Sequence, residues 1–124
     1  MTSRYELGME MIKKLADDSG MKSMDELNKL SPRLAELAVE FGYADLYANP
    51  VLDLKQRAFI TLSSLITQGD TEGELLFHFR AALNIGITKE EIVELITHLS
   101  GYAGFPRAIN ALMVFRKVLN DWEK

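Results

Sequence analysis

A chain of 124 residues with 48% hydrophobic and 26% charged content has the composition of one globular domain, expected to span residues 1–124, with a core of its own and apolar helix faces left over for a partner copy. A net charge of -4 without any basic stripe argues against nucleic-acid binding, and the absence of cysteine removes disulfides, thiolate nucleophiles and thiolate metal sites. Apolar runs such as Phe59 to Leu62 fall far short of the roughly 18 residues that span a bilayer, and the N-terminus scatters its charges unlike a secretory signal, so the expected location is cytoplasmic and away from membranes.

Helical periodicity and caps recur along the whole chain, and no stretch alternates with period two, so the predicted class is all-α. The first helix is expected from about Arg4 to Asp18, with Tyr5, Met9, Ile12 and Leu15 or Ala16 on one face and Ser19-Gly20 as its stop. A short helix over Lys22 to Lys29 follows. Ser31-Pro32 opens the next one, serine as cap and proline in the first turn, with Leu34, Leu37, Ala38 and Phe41 as its apolar face and Gly42 as its end.

Asn49-Pro50 marks a break, after which Asp53 is placed to cap a long, largely buried helix carrying Ala58, Phe59, Leu62, Leu65 and Ile66 and closed by Gly69. A helix from about Thr71 to Ile85 ends at Gly86. Thr88 and Glu91 have the spacing of a capping box and open a helix toward Tyr102, closed by Gly104. Pro106 begins the last helix, where Ile109, Leu112, Met113, Phe115 and Val118 supply an apolar side ahead of the polar tail 120–124.

Two helix faces carry groups suited to proton transfer. Glu74 and His78 are four residues apart and meet on one face, where a carboxylate can orient an imidazole that titrates near neutral pH. The next helix repeats the pattern with Glu94, His98 and Tyr102 at four-residue steps. Arg57 shares a polar strip with Thr61 and Ser64, and either it or Arg80 could grip an anion through a guanidinium fork or serve a structural ion pair. Two histidines are too few for an imidazole-rich metal site, and GYAGFP lacks the spacing of a phosphate-binding glycine loop. The same faces are compatible with a non-catalytic reading, in which they pack subunits together.

The strings LDLKQRAFITL from Leu52, HFRAALNIGITKEEI from His78 and HLSGYAGFPRAINAL from His98 together resemble the carboxymuconolactone decarboxylase family. The likeness is collinear over about residues 50–119, and residues 1–49 are similar to the helical lead-in of its smaller members. It implies an alkylhydroperoxidase D-like helical fold, assembled into trimers or hexamers with the site near subunit contacts. In the peroxidase branch a Cys-x-x-Cys-x-x-x-His motif would put its cysteines at Thr71 and Glu74, and an acidic residue where Ala58 stands. This chain therefore resembles the decarboxylase branch, and thiol peroxidase chemistry is excluded.

What the resemblance implies for function is a cofactor-independent, metal-free carboxy-lyase of aromatic compound degradation, taking carbon dioxide from a small anionic lactone or related acid. The catalytic assignment that follows is His78 for proton transfer, oriented by Glu74. Arg57 would anchor the substrate anion, with His98 and Tyr102 as further substrate contacts. A same-fold enzyme with a different substrate shares every one of these features.

Overall fold

The computed structural model describes residues 2–122, and every regular element among them is helical. These residues form two compact units that part between Leu54 and Lys55, close to the break expected at Asn49-Pro50.

The first unit begins with α1 (Arg4–Leu15), capped by the Ser3 hydroxyl, which accepts from the Glu6 amide. α1 stops earlier than the sequence suggests, because Asp17 accepts from the Gly20 amide at 2.9 Å and starts α2 (Asp18–Leu30) there. Ser19 and Gly20 thus lie inside a helix, and the short segment expected over 22–29 is only its second half. Ser31 then caps α3 (Pro32–Leu37) through the Leu34 amide, with proline in the first turn as expected.

Beyond α3 the chain does not end at Gly42. It continues through Ala38–Tyr47 in a wider winding with i→i+5 hydrogen bonds. The buried side consists of Ala35, Val39, Tyr43 and Ala44, whereas Leu34, Leu37 and Phe41, expected to be inward, are exposed. Small residues at the contact allow close approach. A Cβ added at Gly8 of α1 would lie 2.2 Å from the carbonyl oxygen of Val39, a distance no side chain tolerates. Arg4 ties the ends of this pair together, donating from Nε and Nη2 to the two oxygens of Asp45 at 3.1 and 2.7 Å.

The second unit contains α4 (Leu54–Gln68, within it from Lys55), α5 (Glu72–Asn84), α6 (Lys89–Leu99) and α7 (Phe105–Trp122). Its core takes Leu62 and Ile66 from α4, Phe79 from α5, Ile92 from α6 and Phe115 and Val118 from α7. The rings of Phe79 and Phe115 meet with centroids 5.0 Å apart, a tilted contact that adds to the burial itself. Of the α4 residues expected inside, Ala58, Leu62 and Ile66 are buried and Phe59 and Leu65 pack partly buried against the same core, while Ile60 is exposed.

α6 starts at the expected capping box. Thr88 Oγ1 accepts from the Glu91 amide, and the Glu91 carboxylate accepts from the Thr88 amide, at 3.0 and 2.9 Å. It ends at Leu99 instead of reaching Tyr102, because the following amides of Ser100, Gly101 and Tyr102 each bond three residues back and tighten the chain into a turn. α7 has two apolar sides. Ala108, Ala111, Val114, Phe115 and Val118 face the core, whereas Phe105, Ile109 and Met113 form an exposed stripe.

Candidate active site

α5 positions the principal pair. Thr71 precedes the helix without capping it, its hydroxyl donating instead to the Leu65 carbonyl at 2.7 Å and so tying the start of α5 to the end of α4. From that start the helical repeat puts Glu74 and His78 one turn apart, with Glu74 Oε2 3.4 Å from His78 Nε2. The two side chains differ in exposure, 68% for Glu74 against 13% for His78. The imidazole is covered partly by Phe77, whose ring meets it edge-on at 5.0 Å.

The hydrogen bond with His78 holds the Glu74 carboxyl below the ordinary carboxylate range, against a smaller opposing effect of burial. Glu74 is therefore an acceptor at neutral pH, and its partner nitrogen is Nε2. Nδ1 is left as the nitrogen available to exchange a proton with a bound molecule.

The second predicted face forms at the end of α6. His98 and Tyr102 stack with centroids 5.1 Å apart and planes 27° from parallel, but Tyr102 lies in the turn beyond the helix and is 80% exposed. His98 lies in the last turn of α6 and is itself exposed. Glu94 is exposed on the same side. Arg57 is half-buried on the first turn of α4, beside the buried Ala58. An acidic residue at position 58 would be placed in the hydrophobic core.

The structure thus brings Glu74 together with His78, and His98 together with Tyr102, as two separate pairs. A cleft of about 320 Å³ lies elsewhere in the second unit, between the α4–α5 turn and α7. None of the five predicted residues lines it. Arg80, the other candidate anion grip, stands 5.3 Å over the Trp122 ring, a cation–π contact that local sequence cannot reveal because the two residues are more than forty positions apart. Among the described residues, no three His, Asp or Glu side chains gather as metal ligands, and no helix is long and apolar enough to cross a membrane.

The sequence profile of the carboxymuconolactone decarboxylase family matches residues 32–117, which include both histidine-bearing helices. The 4-carboxymuconolactone decarboxylase of Acinetobacter baylyi is 31% identical over 119 residues, covering 95% of this chain and 88% of that protein. The nitrosuccinic acid decarboxylase of Metarhizium robertsii is 40% identical over 86 residues, covering 69% of this chain and 59% of that protein. Both relatives are named for loss of carbon dioxide from an acid.

Proposed function

This chain belongs to the carboxymuconolactone decarboxylase family, and from that premise we propose that it is a carboxy-lyase that takes carbon dioxide from a small anionic lactone or related carboxylic acid. The observation that carries this reading is the covered imidazole of His78, oriented by a carboxylate that its own hydrogen bond keeps ionised. Decarboxylation breaks the bond between the ring carbon and the carboxylate. The electron pair moves toward the lactone carbonyl, and a proton then returns to carbon. His78 is the group that moves that proton, through Nδ1, while Glu74 fixes the ring. Arg57 anchors the substrate's remaining negative charge, and His98 with Tyr102 supplies further polar contacts. The reaction needs no metal or organic cofactor, since the electron sink belongs to the substrate.

A catalytic pair with Glu74 in solvent is half of a dry site. Stabilising a carbanion-like transition state requires excluding water, and the exposed α7 stripe of Phe105, Ile109 and Met113 offers a surface through which copies of the chain assemble. The working enzyme in this reading is a homo-oligomer, a trimer or hexamer, in which residues 1–124 act as one domain. The family match runs across the boundary between the two compact units, which supports treating them together. A cytoplasmic role in aromatic compound degradation follows from the same reading.

The exposed stripe also favours a second reading, a non-catalytic assembly in which the histidine faces serve packing alone. A turnover screen of the purified protein separates the two. Carbon dioxide released from 4-carboxymuconolactone, from nitrosuccinate or from a related β-activated acid supports the lyase. No release from any of them, by a protein that still assembles, supports the second reading.

A further inference from the structure

The cleft between the α4–α5 turn and α7 has the features of a ligand site that the histidine pairs do not use. Its back wall is apolar, built by Leu65, Ile66, Leu75, Ala111 and Val114. Its volume of about 320 Å³ lies at the small end of ligand pockets and suits a molecule of amino-acid size.

Four charged groups line this cleft, and two of them neutralise each other. Lys117 Nζ donates to Glu72 Oε1 at 2.7 Å. The other two are Arg107 and Asp70. Arg107 is held from behind: its Nε donates to the Thr67 carbonyl at 2.8 Å, and its guanidinium packs so closely on Gly69 that a Cβ there would lie 3.0 Å from Nη1. Its terminal N–H groups find no acceptor among the described residues, so they form a fixed, open fork. Asp70 is likewise without a hydrogen bond or ion pair among them, and is held in the left-handed region at φ 52, directly after Gly69 at φ 75. A non-glycine residue there costs about 1 kcal/mol, a strain located on the rim of the cleft.

We propose that this cleft binds a small α-amino acid with an apolar side chain, its carboxylate on the Arg107 fork, its ammonium on Asp70 and its side chain against the apolar wall. A simple anion fits less well, because the cleft's charges sum to zero and the unpaired Asp70 would oppose it. Asn110, also on the lining, adds an amide able to donate to the carboxylate or accept from the ammonium. The proposal uses none of the residues assigned to the decarboxylase reaction, although Met113 of the exposed α7 stripe also lines the cleft.

Isothermal titration of the full chain with L-leucine, 4-methylpentanoate and 3-methylbutylamine tests this proposal. The expected result is saturable binding of L-leucine, with the two singly charged analogues weaker by roughly tenfold or more, the loss of one charge-assisted contact. Arg107→Gln and Asp70→Asn should each weaken L-leucine by a similar factor. No saturable binding of L-leucine would overturn the proposal, as would 4-methylpentanoate binding as tightly, which marks a plain anion site. Unchanged L-leucine affinity in a folded Arg107→Gln protein would do so too. The comparison among ligands needs no variant, so it stands even if a substitution unfolds the chain.

Discussion

Glu74 Oε2 lies 3.4 Å from His78 Nε2 across one turn of α5, with the imidazole covered by the protein and the carboxylate standing in solvent. The exposed member is therefore the one that water can reach and titrate, and the covered member is the one whose orientation the pair fixes.

This asymmetry has a signature in acid. The hydrogen bond from His78 depresses the folded-state pKa of Glu74, so its contribution to stability is fully present above the unfolded glutamate value of about 4.3 and is lost as pH falls through the lower folded value. Solvent screening keeps that contribution small. Chemical denaturation of the native chain and of Glu74→Gln should show a stability difference near neutral pH that shrinks steadily below about pH 4.3. A difference that grows toward low pH would contradict the assigned direction.

Gly8 sets the approach of α1 to the segment Ala38–Tyr47. Because the nearest obstacle to a Cβ is the backbone of Val39 at 2.2 Å, no rotamer change relieves it. Gly8→Ala should cost about 2 kcal/mol or more, in the upper part of the overpacking range, despite the better helix propensity of alanine. Thermal melting of the variant measures this, and an unchanged midpoint would show that the two segments can separate freely.

The capping box at Thr88 is a local device, and its loss is expected to be local in size. Thr88→Ala removes the acceptor for the Glu91 amide and should destabilise the chain by about 1 kcal/mol, whereas Thr88→Ser should restore most of it. Denaturant midpoints of the three proteins give the comparison. Equal losses for alanine and serine would assign the effect to the threonine methyl group and not to the cap.

Phe79 and Phe115 are both fully buried and touch each other. Either alanine variant should lose about 3–5 kcal/mol. The double variant should lose less than the sum of the two, because the second truncation enlarges a cavity already opened and has no ring contact left to break. Strict additivity in a double-mutant cycle would mean the two rings do not interact.

Much of the fold was legible because the signals were local. The Thr88–Glu91 box, the Ser31-Pro32 start and the four-residue spacing of Glu74 and His78 are all set within one turn of chain. The glycine stops divided on backbone geometry. Gly69 and Gly86 adopt positive φ and close helices where expected, Gly104 has positive φ but lies past a helix that already ended at Leu99, and Gly20 and Gly42 remain inside helical segments. Sequence gives no direct view of φ, so both kinds read alike.

The failures share another cause. The larger apolar side chains point to an inward face at Leu34, Leu37 and Phe41, whereas the buried side is that of Ala35, Val39 and Tyr43, where Gly8 of α1 packs against Val39. Arg80 over Trp122 and the Arg107 bond to Thr67 join positions about forty residues apart, so only tertiary packing creates them. The cleft was illegible for that reason, being assembled from a strained turn and a distant helix.

The most direct test of the central claim is carbon dioxide release from 4-carboxymuconolactone by the native chain and by His78→Ala, compared at matched helicity and assembly state. The native protein should release carbon dioxide measurably, and kcat should fall by about 100-fold or more in the variant, the scale of a lost proton-transfer group. Undiminished kcat in a folded, assembled His78→Ala protein would contradict the claim.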